Sequence, residues 1–199
     1  MTGTQAKLIS QGLLHKEALR HRLLPTQPAL PSSTEAHAAV LLCCVMTAEP
    51  YTLLTRRSMQ LSSHAGQISL PGGRVDSCDA SLEATALRET MEEIGLDSKG
   101  LQLLGRLPDV RVNAGTGIAI TPVVAWCEQE PNLIHNPYEV DEIIRLTLQL
   151  VLNTSNYGTD SQERDGVKRE YKFLRFQEHY IWGATARILL SLAEVAQTK

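Results

Sequence analysis

Residues 70–96 read LPGGRVDSCDASLEATALRETMEEIGL, and the architecture of the chain can be worked out from this stretch. Its second half has apolar residues at helical spacing. At about 100° per residue, one face of the helix collects a row of apolar side chains, Ala80, Ala84, Leu87, Met91 and Ile94. Asp79 is placed to cap the start of this helix, and Gly95 is placed to end it in the left-handed conformation. The stretch predicts a glycine loop followed by a helix that packs one face on a sheet.

Two glutamates of this helix are spaced to share one divalent cation. Glu89 and Glu93 occupy positions i and i+4, about 160° from the centre of the predicted apolar face. Mg²⁺ is bound by a few carboxylates together with water and phosphate oxygens. For two isolated glutamates, a solvated acidic face would be the better explanation. The pattern RETMEEIG, which also contains Arg88 and Glu92, occurs by chance in a chain of this length only on the order of once in several thousand. The pattern therefore favours a divalent-cation site over a solvated acidic face.

Composition limits the partners of the chain. Its 199 residues carry a net charge of −3 and are 43% hydrophobic, which suits one ordinary domain with a real core. The charge gives no indication of binding to nucleic acid or to a membrane surface. The longest apolar run, residues 38–46, is too short to span a bilayer. The four cysteines lack metal-ligand spacing and are expected to be reduced, so the predicted location is the cytoplasm.

The order of the predicted elements indicates the fold class. Residues 5–24 predict a helix and residues 25–33 a Pro-rich connector, so residues 1–34 are assigned to an N-terminal segment packed on a main domain of residues 35–199. Residues 38–47 and 51–57 predict a hairpin, residues 153–166 a polar loop and residues 183–196 a closing helix. With the strands between them, these predict an α/β protein of the α+β type. The expected architecture is an α/β/α sandwich with a mixed, partly antiparallel sheet.

The pattern from the second glycine of PGG to REtmEEiG resembles the box of the Nudix hydrolase family. The resemblance implies a Nudix-like fold and metal-dependent hydrolysis of a pyrophosphate linkage in a nucleotide-containing small molecule. In the family, the two outer glutamates of the box bind metal and the carbonyl before the box glycine often completes the site. The inner glutamate assists or binds a further ion, and the arginine orients the glutamates.

Carried onto this chain, the resemblance implies a metal site for Mg²⁺ or Mn²⁺ made of Glu89, Glu93 and the carbonyl of Gly72. It also gives Arg88 and Glu92 their roles. This box is one residue longer than the standard one between the glycine and the arginine. The early acidic position of the box can therefore be filled by either Asp76 or Asp79.

The residues before the box resemble the signature of the coenzyme A pyrophosphatase subfamily, LLTxR(S/A)xxxRxxxGxxxFPGG. Residues 53–73, LLTRRSMQLSSHAGQISLPGG, match it except at Ser62, where the signature has Arg, and at Leu70, where it has Phe. That subfamily also has the longer box. The resemblance covers about residues 38–190 and implies hydrolysis of coenzyme A or acyl-CoA to 3′,5′-ADP and (acyl-)4′-phosphopantetheine.

Two alternatives remain open at this stage. Ser62 favours hydrolysis of another nucleoside diphosphate derivative, such as ADP-ribose or a dinucleotide. A non-catalytic nucleotide-binding module is the third hypothesis, and the intact box argues against it. The oligomeric state is open as well, with a homodimer among the alternatives.

The remaining candidate residues serve phosphate binding and proton transfer. Arginine suits phosphate because its planar fork of donors matches the oxygens. Arg57 is the first candidate because it matches the signature. The others that flank the presumed site are Arg56, Arg74, Arg106, Arg111, His64 and Gly73. A general base is also needed, and Glu92 or Glu139 is the candidate, with Asp141 and Glu142 close enough in sequence to be confused with Glu139.

Overall fold

The computed structural model describes residues 14–27, 30, 36–112, 117–164 and 166–198. Within these ranges lie the helices α1 (Lys16–Arg22), α2 (Leu82–Ile94), α3 (Leu148–Val151) and α4 (Gly183–Gln197), with 3₁₀ turns at Ser98–Gly100 and Thr154–Asn156. The strands are β1 (Ala36–Val45), β2 (Tyr51–Arg57), β3 (Ile68–Ser69), β4 (Gly72–Arg74), β5 (Leu101–Arg106), β6 (Val110–Val112), β7 (Ile118–Cys127), β8 (Val140–Thr147), β9 (Gly158–Arg164), β10 (Val167–Phe176) and β11 (His179–Trp182). None of the described helices has the length and apolar character needed to cross a bilayer.

Strand β1 lies at the centre of an eight-stranded sheet. It runs parallel to β7 along its whole length, and its other edge pairs antiparallel with β4 near its start and with β2 at its end. Strands β3 and β8 extend the sheet on β2, and β5 and β6 extend it on β7. The predicted hairpin of β1 and β2 and the predicted mixed sheet are therefore confirmed.

Helices cover both faces of this sheet, which explains why β1 is apolar on both sides. One core cluster joins alternate β1 residues such as Leu41 to Leu82 and Ala86 of α2. The other joins the remaining, alternate β1 residues such as Leu42 to α1 and α4. The arrangement is a three-layer α/β/α sandwich, as the sequence predicts.

A 3₁₀ turn, Thr154–Asn156, and strand β9, Gly158–Arg164, occupy most of the region predicted as a polar loop over residues 153–166, so that prediction is wrong for these residues. After a 3₁₀ turn, β9 pairs antiparallel with β10, and β10 pairs with β11 in a second, three-stranded sheet. Leu174 and Ile181 bury the inner face of this sheet in the α4-side core. The side chains of β9 are mostly exposed, so the strand lacks the alternating hydrophobic pattern from which strands are predicted.

Helix α2 packs on a different face from the predicted one. Its buried positions include Leu82, Ala86, Glu93 and Ile94, whereas Met91 is 51% exposed. The packed face is therefore rotated from the predicted one by roughly 120°. Buried threonines on this face make it look polar in the sequence; the hydroxyl of Thr90, for example, is satisfied by the carbonyl of Ala86 at 2.6 Å.

The ends of α2 are partly as predicted. Gly95 ends the helix with a φ of 68°, in the left-handed region, as expected. The N-cap is Ser81 rather than Asp79, and the Ser81 hydroxyl accepts a hydrogen bond from the amide of Ala84 at 3.2 Å. The Asp79 carboxylate is used elsewhere, as described below.

The N-terminal segment packs on the α4 side of the sandwich. Helix α1 contacts α4 and β5, and Leu14, Leu19 and Leu23 are buried in the core. Residues 5–13 of the predicted leading helix lie outside the described residues. Leu24 and Arg106 exchange two backbone hydrogen bonds of 2.9 and 2.8 Å, which anchor the segment after α1 to β5.

We expect Leu19→Ala to lower the free energy of unfolding by about 2–4 kcal/mol, because it leaves a cavity in a fully buried site. Arg20→Ala is the matched control, since the Arg20 side chain is partly exposed and lies 3.8 Å from Glu17. Its effect should stay within about 0.5 kcal/mol. Denaturant unfolding measures both variants. Equal stability of the two variants would show that α1 does not contribute to the core.

Candidate active site

Two glycines bring β4 into close contact with the sheet and with α2. Gly72 has a φ of 143°, and a Cβ there would collide with the backbone of Ala39 and Val40. A Cβ on Gly73 would collide with the carboxylate of Glu89. Any larger residue would push β4 away from one or the other. The two glycines therefore allow the backbone of β4 to lie close to the Glu89 carboxylate on α2.

Glu93 is a carboxylate held almost entirely out of water. It is 4% exposed, and its Oε2 accepts a hydrogen bond from the Gly72 amide at 3.2 Å. The guanidinium of Arg57 lies 4.0 Å from its Oε1. Burial raises the pKa of Glu93 to about 7, although the Gly72 amide and Arg57 act in the opposite direction. Because the packed face of α2 differs from the predicted one, Glu93 points into the protein rather than away from it.

Arg88 ties the loop before α2 to the carboxylates of the helix. Its Nε and Nη2 donate to the two carboxylate oxygens of Asp79, each at 2.9 Å. Its Nη1 donates to Glu89 at 2.9 Å and to Glu92 at 3.1 Å, and Nη2 reaches the carbonyl of Arg74 at 3.3 Å. The role of Arg88 expected from the resemblance, to orient glutamates, is what these contacts favour.

Asp79 occupies the early acidic position that the sequence left open. Its buried carboxylate also accepts hydrogen bonds from the Asp76 amide at 2.8 Å and from the Thr85 hydroxyl at 2.9 Å. The hydrogen bonds from Arg88 hold the pKa of Asp79 well below its usual range. The exposed carboxylate of Asp76 accepts hydrogen bonds from its neighbours Ser77 and Cys78 instead. Asp79, rather than Asp76, is therefore the partner of Arg88.

The three glutamates of the box differ in exposure. Burial raises the pKa of Glu89, and the nearby charges of Glu92 and Glu139 raise it further. The side chain of Glu92 is 53% exposed. Glu93 is buried and the Glu89 side chain is only 20% exposed, so this is the pair whose charge a cation would offset, and Glu92 lies on its solvent side.

Glu139 is brought to this pair by a turn that sequence reasoning did not identify. The amide of Asn136 donates to the carbonyl of Glu93 at 2.9 Å, and the Asn136 side chain donates to the Glu139 carboxylate at 3.1 Å. The charge of Glu139 raises the pKa of both Glu89 and Glu93. The Asn136-Pro137 dipeptide is a local signal from which a turn could have been predicted, but not the contacts of that turn.

The two residues that could be confused with Glu139 point elsewhere. Asp141 accepts a hydrogen bond from the amide of Met59 at 3.2 Å. Glu142 lies 3.5 Å from Arg56 and 3.6 Å from the imidazole of His179. Glu139 alone of the three is near the buried glutamates, so it is the stronger candidate for the general base.

The candidate arginines do not form one group. Arg57 faces Glu93, whereas Arg56, its neighbour in β2, pairs with Glu142. The side chain of Arg106 donates to the carbonyl of Pro25 at 3.1 Å and is taken up by the N-terminal segment. Arg106 also lies 3.7 Å from Glu83 at the start of α2, so of these three arginines the structure brings only Arg57 to a glutamate of the box. Successive strand residues point to opposite faces, which is why Arg56 and Arg57 separate.

The remaining candidates surround the site at a greater distance. Arg74 ends β4 with an exposed side chain, and Arg111 lies on β6. His64 is exposed in the loop after β2, has a φ of 56°, and approaches the Gln67 side chain at 2.7 Å. Substrate binding by these residues stays a prediction.

The oxygen donors of the site fit a small divalent cation. Among the described residues, no group of three or more His, Cys, Asp or Glu side chains is arranged to hold a metal. Mg²⁺ needs fewer, since one or two carboxylates with water and substrate phosphates suffice. Burial raises the pKa of both Glu89 and Glu93. Neighbouring carboxylates raise both pKa values further, and Glu89 is one of those that act on Glu93. A cation between them would offset that cost.

The NUDIX domain family model matches residues 35–171 of this sequence. With the α/β/α sandwich and the glutamate site, this match shows that the chain belongs to the Nudix family. Members of the family are pyrophosphohydrolases that act on nucleotide-derived small molecules and generally need divalent cations.

Its relatives include bacterial proteins called "Uncharacterized Nudix hydrolase NudL". The protein from Photorhabdus laumondii is 40% identical over 174 residues, which cover 87% of this chain and 92% of that protein. The protein from Yersinia enterocolitica is 36% identical, with 88% and 89% covered. Among solved structures, a binary complex of the C. elegans Ap4A hydrolase superposes with a TM-score of 0.49 at 19% identity, covering 57% of this chain and 81% of that one.

We expect Asp79→Asn to destabilise the protein by about 1.5–3 kcal/mol at neutral pH, because it removes charge-assisted hydrogen bonds to Arg88. The folded-state pKa of Asp79 lies below its unfolded value. Its contribution is therefore present above the unfolded pKa and is lost as the pH falls towards the folded pKa. The difference between wild type and variant, measured by denaturant unfolding, should shrink with acidification.

Asp76→Asn is the matched control for this measurement. The Asp76 carboxylate is exposed and makes no hydrogen bond to Arg88. Hydrogen bonds from Cys78 and Ser77 lower its pKa, so Asp76→Asn should show a smaller acid-dependent loss than Asp79→Asn. A deficit in Asp79→Asn that stays constant from neutral to acidic pH would contradict the assignment of Asp79 as an ionised partner.

Proposed function

We propose that this chain hydrolyses the pyrophosphate bond of coenzyme A or acyl-CoA. The products are 3′,5′-ADP and 4′-phosphopantetheine or its acyl derivative. The observation that carries the proposal is the position of Arg57. The subfamily-like stretch, residues 53–73, begins in β2, and the last residue of that strand, Arg57, lies 4.0 Å from Glu93 of the box helix. The subfamily-like stretch, which we use to assign the substrate, therefore approaches the box helix, which carries the proposed metal ligands, at Arg57 and Glu93.

The loop after β2 supports the proposal, because several matching residues have clear roles in it. The amide of Arg57 donates to the carbonyl of Gln67 at 3.0 Å, and the amide of Gly66 donates to the carbonyl of Arg57 at 3.0 Å. Gly66 has a φ of 71°, and a side chain there would collide with Met59. Ser58 is fully buried, and its amide donates to the carbonyl of Glu139 at 2.9 Å. The loop closes on itself and fixes the segment that carries Glu139.

In this proposal Glu89, Glu93 and the carbonyl of Gly72 hold Mg²⁺ or Mn²⁺. When bound, the cation neutralises the pyrophosphate charge and makes the attacking water more acidic. Arg57 binds a phosphate oxygen beside it, and Arg88 keeps Glu89 and Glu92 in place.

The reaction is a displacement at phosphorus. The water oxygen forms a bond to one phosphorus, its proton passes to Glu139, and the bond from that phosphorus to the bridging oxygen breaks. The bridging oxygen leaves with the bonding electron pair as part of the second phosphate. Glu92 is the alternative base, but it already binds Arg88 and is further into solvent.

One observation favours a second candidate function. Ser62 is exposed in the loop after β2, at the position where the signature has an arginine. If that arginine recognises the 3′-phosphate of coenzyme A, its absence would favour another nucleoside diphosphate derivative, such as ADP-ribose or a dinucleotide. A panel of coenzyme A, acetyl-CoA, ADP-ribose and dinucleotides, compared by kcat/KM with Mg²⁺ and with Mn²⁺, separates the two. Cleavage of ADP-ribose without cleavage of coenzyme A would leave only the wider family activity.

We expect Glu93→Gln to lower turnover by orders of magnitude and to weaken Mg²⁺ binding, because it removes a charged ligand. Chelation should abolish wild-type activity, and added Mg²⁺ or Mn²⁺ should restore it. Glu128→Gln is the control, since Glu128 is exposed and pairs with Lys16 far from the box. Turnover and calorimetric titration with Mg²⁺ measure the effect. A Glu93→Gln enzyme with normal turnover would refute the metal assignment.

We expect Ser62→Arg to lower the KM for coenzyme A by roughly ten- to a hundredfold, because a charge-assisted hydrogen bond contributes about 1.5–3 kcal/mol. The effect on kcat should be smaller if ground and transition states are bound alike. Dephospho-coenzyme A lacks the 3′-phosphate and serves as the matched substrate. If Ser62→Arg improves both substrates equally, the arginine does not read the 3′-phosphate. If wild type already prefers coenzyme A strongly, Arg57 is the next residue to substitute.

A further inference from the structure

Two large apolar side chains are exposed to solvent beside the glutamate site. Tyr138 is 77% exposed and Met59 is 70% exposed. Among the described residues, these two and Ile134 are the most exposed of the large apolar side chains. Tyr138 directly precedes Glu139, the proposed base, and Met59 lies two residues after Arg57. Single exposed apolar residues are common, but two together at the edge of a polar site indicate a binding surface.

A backbone hydrogen bond brings Tyr138 and Met59 to the same edge of the site. The amide of Ser58 donates to the carbonyl of Glu139 at 2.9 Å, which continues the pairing of β2 with β8. Met59 and Tyr138 are the next residues beyond this bond on the two segments. We call these two side chains the rim pair.

Contacts with the site hold each member of the rim pair in place. The amide of Tyr138 donates to the side-chain oxygen of Asn136 at 3.1 Å, and the same Asn136 side chain donates to the Glu139 carboxylate. The sulfur of Met59 lies against Gly66, where a Cβ would come within 2.9 Å of it. The rim pair is therefore positioned before a ligand binds, which lowers the entropy cost of binding.

The rim pair lies one sugar away from the proposed phosphate position. Arg57 binds a phosphate oxygen in the proposed mechanism, and Met59 follows it by two residues, at most about 7 Å along the backbone. In a nucleotide, a single ribose ring joins the base to its phosphate and spans a comparable length. The same loop carries Ser62, where the signature has an arginine, and in coenzyme A this ribose carries the 3′-phosphate. A nucleotide whose phosphate lies at Arg57 can therefore reach the rim pair with its base.

The chemistry of the rim pair suits an uncharged, flat ring. The carboxylate of Asp141 accepts a hydrogen bond from the amide of Met59 at 3.2 Å, and Glu139 adjoins Tyr138. A phosphate or another acidic group would be repelled by these two carboxylates. The phenol ring of Tyr138 offers a face on which any base can stack, and the thioether of Met59 makes favourable contacts with aromatic rings.

We propose that Tyr138 and Met59 bind the nucleobase of the substrate, with the base stacked on the Tyr138 ring and the Met59 thioether against it. For coenzyme A this base is adenine. The inference rests on the proposed function for the position of the phosphates. Because stacking uses the face of the base, the rim pair contributes affinity for every nucleotide substrate, and other contacts distinguish coenzyme A from ADP-ribose.

The first test is Tyr138→Ala, measured with coenzyme A and with ADP-ribose. Both KM values should rise about five- to a hundredfold, which is the effect of a lost base–aromatic stack. The value of kcat should change little, because the base is bound alike in the ground and transition states. Tyr138→Phe keeps the ring and should retain the wild-type KM. A kcat that falls while KM stays constant would place Tyr138 in the chemical step and overturn the proposal.

Ile134→Ala is the matched control. It removes a similarly exposed apolar side chain from the same loop, at a residue whose amide bonds to the carbonyl of Ile94 at the end of α2 rather than to the site. Its KM values should equal those of wild type. Equal KM values for Tyr138→Ala and Ile134→Ala would refute the stacking role.

Met59→Ala tests the second member of the rim pair. The KM values for coenzyme A and ADP-ribose should both rise about two- to tenfold, since a sulfur–aromatic contact is weaker than a stack. Met91→Ala is the control, because Met91 is exposed on α2 away from its packed face. A rise for coenzyme A without a rise for ADP-ribose would mean that the rim pair binds the pantetheine arm, and the proposal would fail.

Light scattering tests whether a second copy of the chain covers the rim pair instead. The oligomeric state should be the same in wild type and in Tyr138→Ala. A dimeric wild type with a monomeric Tyr138→Ala variant would make the rim pair a subunit contact and contradict the proposal.

Calorimetry separates this inference from the proposed activity. Tyr138→Ala should weaken the binding of ADP and leave unchanged the binding of inorganic pyrophosphate and of 4′-phosphopantetheine, which have no base. Equal losses for ADP and pyrophosphate, or a loss only for 4′-phosphopantetheine, overturn the proposal. If coenzyme A is not cleaved but the expected pattern holds, the proposed function fails and the base site stands. If coenzyme A is cleaved and Tyr138→Ala binds ADP like wild type, the function stands and the base site fails.

Discussion

The guanidinium of Arg88 is the interaction on which the site depends. It holds both oxygens of Asp79 from the preceding loop, one oxygen each of Glu89 and Glu92, and the carbonyl of Arg74. The single guanidinium of Arg88 therefore fixes the loop before α2, the helix α2 and the strand β4 relative to one another. Because Arg88 keeps its charge near neutral pH, its hydrogen bonds to these carboxylates are charge-assisted and stronger than neutral ones.

Stability alone does not explain the rest of the site. A carboxylate such as Glu93, taken out of water with only a backbone amide and a distant guanidinium as partners, costs free energy. Glu89 and Glu139 add repulsion, since each raises the pKa of Glu93. Strongly perturbed carboxylates in one place are characteristic of functional sites. The fold accepts this cost, and in the proposed mechanism a divalent cation bound here would offset it.

The sequence predicts this molecule best where one strong local signal determines structure. The β1–β2 hairpin, the mixed sheet and the Gly95 end of α2 follow from apolar runs and a single glycine. The packed face of α2 does not, because Thr90 and Glu93 are buried polar residues that a hydrophobicity count assigns to solvent. Strand β9 is held by backbone pairing with exposed side chains, and the contacts of Asn136 join segments distant in sequence, so neither leaves a local pattern.

In the loop after β2, the backbone bonds that position the proposed base are separate from the exposed side chains at the tip of the loop. It positions the proposed base through the backbone, since the Ser58 amide binds the carbonyl of Glu139, while Gly66 closes the loop on Arg57. None of these bonds uses the side chains at the exposed tip, which includes Ser62 and His64. Tip residues can therefore change without moving Glu139 or Arg57. Under the proposed function, the departure from the signature at Ser62 would therefore affect which phosphates are bound and leave Glu139 and Arg57 in place.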